Sequence, residues 1–329
     1  MRLGVVGVTG LVGRTFLQAL PLYGFDRAEV YGAASHRSVG SRIPFRTGEL
    51  LVESVESLLR RELDIVFFSA GASVSREWAP RFVEKGAIVI DNSSAWRLEP
   101  NVPLIVPEVN LSSIGQARLI ANPNCSTIQL VVVIAPLQRT FGIERVVIST
   151  YQAVTGTGQK AVEQLMAERS GRVASHSVYP HPIDLNCIPQ CDVFEEEGYT
   201  REEWKIIKET RKILDNPTLP ITATAVRVPV LGGHSESVNV VLKQEAPLEA
   251  VKEVLAQAPG IVLQDNPTRH EYPMPRYVGG QNEVFVGRIR RDTSHPRGIN
   301  LWIVADNLRK GAATNALQIA QHVVAATQH

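Results

Sequence analysis

The 329-residue chain has only three cysteines, Cys125, Cys187 and Cys191. That is too few for a disulfide framework, which excludes a bridge-stapled extracellular domain and points to a reducing compartment. The chain also lacks blocks of like charge, with 34 Lys and Arg against 33 Asp and Glu and a formal net charge of +1. Without a basic stripe, neither nucleic acid nor an anionic membrane surface is an expected partner. No apolar run is long enough to span a bilayer, and Met1 to Gly7 leads into a strand pattern without a signal peptide's cleavage region. Repeats and low-complexity segments are absent as well. What remains is a cytoplasmic protein long enough for two domains.

The stretch that organises the chain is Asn122-Pro123-Asn124-Cys125-Ser126-Thr127. A short strand pattern, Leu119 to Ala121, precedes it, and an apolar run from Ile128 to Leu137 follows. Pro123 disfavours helical geometry at Asn122, and Asn124 or Ser126 can cap the helix. The thiol then falls in a helix's first turn, where unpaired N–H groups and the dipole favour a thiolate. A lone cysteine is ordinarily a small core hydrophobe. The strand-to-helix turn favours a nucleophile instead.

Leu3 to Val8 reads as a buried strand, followed by Gly7-Val8-Thr9-Gly10-Leu11-Val12-Gly13 and a helix through Leu17 and Leu20. This Gly-x-x-Gly-x-x-Gly variant of the dinucleotide fingerprint permits a tight turn and brings a pyrophosphate to the helix N-terminus. A second strand, Val30 to Ala34, ends in Ser35-His36-Arg37-Ser38. An NAD site places Asp or Glu there for the ribose, whereas hydroxyls and a guanidinium suit the 2′-phosphate of NADP. Asp64 to Ser69 and Ala87 to Ile90 read as the third and fourth strands, with a helix around Trp78 to Lys85 between them. The alternation predicts an α/β fold with a Rossmann-type doubly wound parallel sheet, whose ligands gather at the carboxyl ends of strands. Arg97, in Asp91-Asn92-Ser93-Ser94-Ala95-Trp96-Arg97, lies on such a loop.

Beyond Cys125 the pattern becomes α+β. Arg145 to Tyr151 is a strand, followed by Gln152 and the flexible Val154 to Gly158, then a helix from Lys160 to Glu168. Cys187-x-x-x-Cys191 has poor zinc-knuckle spacing and Pro189-Gln190 between its cysteines, so no metal is expected. In the helix Arg201 to Leu214, Glu202, Lys205, Glu209 and Lys212 share one face, with Trp204, Ile207 and Leu214 on another. Such a charged stripe ordinarily faces solvent. Thr222 to Val230 and Ser237 to Leu242 are strands, and His234 on the loop between them is the histidine selected for acid–base work. His322 and His329 lie in or after the terminal helix, and His36, His270 and His295 have no evident nucleophile partner. A last strand, Gly298 to Ala305, leads through Asp306-Asn307-Leu308-Arg309-Lys310-Gly311 into the helix Ala312 to Ala325, which is expected to return to the first domain. The expected division is 1–124 with 308–329, and 125–307.

These motifs, together with Tyr151 to Gly158, Glu202 to Leu214, Arg227 to Glu236 and Asp306 to Ala312, resemble the aspartate-β-semialdehyde dehydrogenase family over essentially the whole chain. Val8, where alanine is commoner, is a small departure. The resemblance implies NADPH-dependent reductive dephosphorylation of L-aspartyl-4-phosphate to L-aspartate-4-semialdehyde, on the way to lysine, threonine, methionine and isoleucine. It implies Cys125 as nucleophile, His234 as acid–base group and Gln152 as orienting group. Arg97 and Lys205 would hold phosphate, Arg227 the α-carboxylate and Glu202 the α-ammonium, with Asn124 beside them. NADP(H) contacts would come from Gly7, Thr9, Gly10, Leu11, Val12, Ser35, Arg37, Ser38, Gly71, Thr155, Gly156 and Asn307. A homodimer through the second domain is implied too.

The residue types suit the chemistry independently. A thiolate can displace phosphate from an acyl phosphate, and the thioester formed accepts hydride. His234 could hold the thiolate as an ion pair and later return a proton. N-acetylglutamyl-phosphate reductase and glyceraldehyde-phosphate dehydrogenase share this logic, but an acetylated amine has no need of Glu202. A non-catalytic Rossmann-type redox sensor is the remaining alternative, disfavoured by the joint presence of Cys125, Gln152 and His234.

Overall fold

The computed structural model describes residues 1–327, and His329 lies outside them. The chain divides into two compact units, Met1–Asn124 with the segment from Ala312 onward, and Cys125–Gly311.

The first unit is built on strands β1 (Arg2–Val6), β2 (Glu29–Ala33), β3 (Arg42–Phe45), β4 (Gly48–Glu53), β5 (Ile65–Phe68), β6 (Ile88–Asp91) and β7 (Leu119–Ala121). Their order in the sheet is β3-β4-β2-β1-β5-β6-β7, and every pairing is parallel except β3 with β4. The continuous apolar runs of β1 and β5 are what a strand covered on both faces requires. On one face Phe16, Phe67, Ala316, Leu317 and Ala320 share a core. On the other, Val6, Phe68, Leu58 and Phe82 share a second. The terminal helix Thr314–Thr327 therefore packs in the first unit, as its Ala-rich pattern predicts.

Two details of this unit differ from the sequence reading. The β3–β4 hairpin was not anticipated, so the strands expected as third and fourth are β5 and β6. Its connection carries Arg46 at φ 52 rather than an Asn-Gly or Asp-Gly turn, and Pro44 sits on the edge strand, where a missing N–H costs nothing. The terminal helix also starts at Thr314 rather than Ala312, after a π-type turn, Arg309–Ala313.

Buried amides fasten the segment before Cys125 within this unit. Asn315 Nδ2 donates to Asn122 Oδ1 at 2.7 Å and to the Ile105 carbonyl at 2.9 Å. Asn122 Nδ2 in turn donates to the Asn92 side chain and to the Ala312 carbonyl. Both asparagines are fully buried, so each bond replaces one that water would have made.

The second unit holds a mixed sheet of β8 (Ile143–Gln152), β9 (Ile221–Arg227), β10 (His234–Leu242), β11 (Ile261–Leu263), β12 (Val284–Arg291) and β13 (Gly298–Ala305). The order is β11-β12-β13-β10-β8-β9, antiparallel at its centre and parallel at both margins. The helix Cys125–Phe141 is buried without interruption from Ser126 to Leu137. The strands β11 and β12 and the helix Leu248–Gln257 were not read from the sequence. Val154 to Gly158 is less free than expected, because Val154–Gly156 forms a 3-10 turn with Val154 fully buried. Among the described residues no helix is long and apolar enough to cross a membrane.

The asparagine network makes a stability prediction. Asn315→Ala leaves the Asn122 oxygen and the Ile105 carbonyl without a donor and should destabilise the protein by about 1–3 kcal/mol. A lowered urea midpoint with unchanged m-value checks this.

Candidate active site

In the first unit the glycine turn after β1 forms a cleft at the carboxyl ends of β1, β2 and β5. Gly7 takes φ +87°, and a Cβ there would stand 2.3 Å from the Ser69 carbonyl oxygen. A Cβ on Gly13 would likewise lie 2.3 Å from the Gly7 carbonyl oxygen. Only glycines let strand, turn and helix approach this closely. The cleft, about 490 Å³, is lined by Gly7, Thr9, Gly10, Ser35, His36 and Gly71, with Trp78 and Val74 as its apolar wall. Leu11 and Val12 open the following helix, and Arg37 and Ser38 continue the 3-10 turn after Ser35, with Arg37 exposed. Glu56, which the sequence reading missed, also lines the cleft, and hydrogen bonds from its own backbone N–H and from Ser54 hold its carboxyl below the usual range. Backbone N–H groups, hydroxyls and an apolar wall fit a dinucleotide.

Arg97 is fixed in the same unit. Its Nε donates to the Asn122 carbonyl at 3.0 Å and its Nη2 to the Asn92 carbonyl at 2.8 Å. Asn124, 7% exposed, is the last residue before the division between units.

Cys125, half-buried, is the first residue of its helix, and a Cβ on Gly311 would come within 2.9 Å of the Cys125 Cβ. One turn on, Gln129 Nε2 donates to the His234 carbonyl at 3.4 Å, so this helix end lies against the start of β10. His234 is not on a loop. It is the first residue of β10 and is fully buried. The preceding Gly233 (φ +84°) donates to Asn307 Oδ1 at 3.0 Å, and Asn307 also bonds Thr155 Oγ1.

The imidazole is oriented by one hydrogen bond. The Ala153 N–H donates to Nδ1 at 3.0 Å, which assigns the ring proton to Nε2, and Nε2 has no partner among the described residues. Burial first, and the Arg227 guanidinium second, push its pKa down to about 3. The ring is therefore neutral in this conformation, not the standing imidazolium that an ion pair with the thiolate requires. Gly156 makes room for it, since a Cβ there would lie 3.0 Å from Nε2 and 2.9 Å from Arg227 Nη1.

Arg227 ends β9 in register with Gln152 at the end of β8. Its Nη1 donates to the Ala153 carbonyl at 2.7 Å, while its buried Nε has no partner among the described residues. Gln152 Nε2 donates to Glu202 at 3.2 Å, and Glu202 pairs with Lys205 at 3.3 Å. Lys205 also pairs with Asp192 at 2.8 Å, a partner no sequence signal indicated. The helix Arg201–Ile213 is fastened by a capping box, Thr200 with Glu203, and Glu203 also accepts the Ala225 N–H of β9 at 2.8 Å. Its charged stripe is not solvated: Glu202 and Glu209 are buried, and the apolar side is carried by Ile206, Ile207 and Ile213 rather than Trp204 and Leu214. The second unit thus brings Gln152, Thr155, Gly156, Glu202, Lys205, Arg227, His234 and Asn307 into one continuous set of contacts. Cys187 is exposed and Cys191 buried, with burial raising the Cys191 thiol to about 12. No group of three His, Cys, Asp or Glu among the described residues is placed to hold a metal.

Models of the semialdehyde dehydrogenase NAD-binding domain and dimerisation domain match residues 2–117 and 134–310. The aspartate-semialdehyde dehydrogenases of Aquifex aeolicus (strain VF5) and Legionella pneumophila are 48% and 46% identical to this chain, over 98% of it and 98% and 95% of their own lengths. The chain belongs to the aspartate-semialdehyde dehydrogenase family. The crystal structure of aspartate semialdehyde dehydrogenase II from Vibrio cholerae, complexed with ASA, superposes with a TM-score of 0.93 at 41% identity, covering 98% of each chain. That of aspartate semialdehyde dehydrogenase with NADP from Candida albicans gives 0.77 at 27% identity, again over 98% of each. The expected family and fold class are thereby established. As an aspartate-semialdehyde dehydrogenase family member, the protein is an oxidoreductase of amino-acid biosynthesis with a Rossmann-type nicotinamide-nucleotide domain.

The depressed His234 pKa has a signed consequence. The unfolded chain, with an ordinary imidazole near 6.5, binds the proton first, so acidification from that value toward 3 favours unfolding. His234→Gln removes this contribution, and its urea midpoint should fall less steeply than the wild type's across that window.

Proposed function

We propose that the protein catalyses the NADPH-dependent reductive dephosphorylation of L-aspartyl-4-phosphate to L-aspartate-4-semialdehyde through a thioester on Cys125. The observation that carries this reading is the joint placement of His234, Arg227, Gln152, Glu202 and Lys205 in the unit that begins with Cys125. The small substrate carries a phosphate, a carboxylate and an ammonium group, and it needs subsites of both signs.

In the proposed reaction Cys125 Sγ attacks the acyl carbon, and the carbon–oxygen bond to phosphate breaks with its electron pair. Arg97 and Lys205 stabilise the departing phosphate, Lys205 exchanging part of its pairing with Asp192 and Glu202. Arg227 presents a planar guanidinium to the α-carboxylate, and Glu202 faces the α-ammonium. Gln152 orients the acyl group, and Asn124 borders the nucleophile. The nicotinamide nucleotide, when bound, supplies a hydride for the acyl carbon. His234 then donates a hydrogen bond from its Nε2–H to the developing oxyanion, which collapses to the aldehyde carbonyl as the carbon–sulfur bond breaks with its electron pair on sulfur. A neutral imidazole with its proton on Nε2 suits this hydrogen bond, and one such oxyanion donor is typically worth ~10²–10³ in rate. The products are the aldehyde and a regenerated thiolate.

Gly7, Thr9, Gly10, Leu11, Val12 and Gly71 are assigned to the dinucleotide in the first unit, and Thr155, Gly156 and Asn307 in the second. Ser35, Arg37 and Ser38 are assigned to the 2′-phosphate. His36 lies beside Glu56 at the cleft and the exposed Arg37 follows it on the same turn, which supports NADP(H) over NAD(H). The protein is further proposed to act in the cytoplasm as a homodimer, in keeping with the dimerisation-domain match.

Two measurements test this reading. Incubation with aspartyl phosphate and no dinucleotide should leave an aspartyl mass adduct on Cys125, and Cys125→Ala should lower kcat by roughly 10³-fold or more. A wild-type protein without the adduct, or an active alanine variant, overturns the mechanism. Arg37→Ala should raise the KM for NADPH roughly tenfold, as expected for a lost charged hydrogen bond, and leave that for NADH nearly unchanged.

A further inference from the structure

Lys205, the lysine assigned to phosphate, stands between two carboxylates. Its Nζ donates to Asp192 Oδ2 at 2.8 Å and to Glu202 Oε2 at 3.3 Å. An ammonium group has three N–H donors, so acidic side chains take two of them. One cation against two anions also makes the trio formally negative. A dianionic phosphate meets charge of the wrong sign there, and one of the two acids must give way.

Their surroundings decide which. The Glu202 side chain is 10% exposed, lies on a helix fastened by a capping box, and accepts from Gln152 Nε2 at 3.2 Å. Displacing it breaks a contact within the site and strands a buried carboxylate. The Asp192 side chain is 31% exposed, and its residue lies outside any helix or strand, on the connection that leads to the helix Arg201–Ile213. Its Oδ1 accepts from the adjacent Val193 N–H at 2.9 Å, a bond within its own turn. Rotation about the side-chain bonds takes Oδ2 from Lys205 into water while the backbone stays in place. Asp192 is the acid that can leave.

We propose that Asp192 stands in for the substrate's phosphate on Lys205: its carboxylate holds the ammonium while the subsite is empty, yields to the incoming phosphate, and reclaims the ammonium as phosphate departs. This rests on the assignment of Lys205 to phosphate. The exchange keeps the lysine oriented between turnovers. It also obliges any free anion to displace a carboxylate first, so inorganic phosphate binds weakly and is released readily. Asp192 takes no proton and forms no bond to the reacting carbon.

Removal of the acid's charge should therefore produce a gain. Asp192 has left-handed backbone, φ +70°, which asparagine tolerates, so Asp192→Asn removes the charge without straining the turn. In the direction from aldehyde to acyl phosphate, its KM for inorganic phosphate should fall on the order of tenfold, with that for NADP+ changed less than about twofold. Calorimetric titration with inorganic phosphate alone should show the same tightening, without turnover. Asp192→Gly suits the same backbone, should give a gain at least as large, and serves if the asparagine variant does not fold. Lys205→Met should weaken phosphate binding, and in that background Asp192→Asn should change it by less than about threefold, because the acid no longer has an ammonium to occupy. Unchanged or weaker phosphate binding in both Asp192 variants overturns the proposal and makes the acid a support of Lys205. Full tightening in the Lys205→Met background also overturns it, since the acid would then repel phosphate directly. Wild-type phosphate binding by Lys205→Met itself removes the assignment of Lys205, and the proposal with it, an outcome that this single variant distinguishes from the other two.

Discussion

The backbone of Ala153 is the constraint on which the second unit's site depends. Its N–H holds His234 Nδ1, and its carbonyl accepts from Arg227 Nη1. One residue at the end of a strand therefore sets both the tautomer of the imidazole and the direction of the guanidinium. A backbone anchor of this kind cannot change rotamer, and the groups it holds are correspondingly preorganised. Its nearness also has an electrostatic effect, because Arg227 adds to burial in keeping His234 neutral. Gly156 completes the arrangement by leaving no side chain where ring and guanidinium meet.

The charged groups beyond that anchor form a graded chain rather than isolated subsites. Gln152 touches Glu202, Glu202 touches Lys205, and Lys205 reaches Asp192. Buried charges are tolerated only when paired, and here the pairing partners are themselves the proposed substrate groups' counterparts. The helix that carries them is held by its own capping box, whose Glu203 doubles as a link to β9. Local sequence, Thr200-x-x-Glu203, thus determines where two site residues stand.

Much of this was legible in the residues. The glycine turn after β1, the alternating apolar runs of the first sheet, and the thiol at a strand-to-helix junction carry strong local signals, and each lies where its pattern indicates. Elements lacking a local signal were missed. The β3–β4 hairpin turns on Arg46 at positive φ rather than on a glycine pair, and β11 is a three-residue edge strand. His234 was placed on a loop because Gly232-Gly233 suggests one, whereas its pairing with Ala305 of β13 extends β10 to that residue. Its neutrality could not be read from sequence at all, since burial and a neighbouring cation arise only in the fold. Asp192, thirteen positions from Lys205, is a partner of the same tertiary origin.

The Asn122 side-chain bond to the Ala312 carbonyl, 3.2 Å long, brings the exit from the first unit and the re-entry into it side by side. Some 190 intervening positions therefore form an excursion that begins and ends at one doorway. A gene encoding the first sheet could be closed there by a splice of a few residues, with no strand order altered and no gap to bridge. The second unit is in this sense an insertion between two segments that already meet in the first.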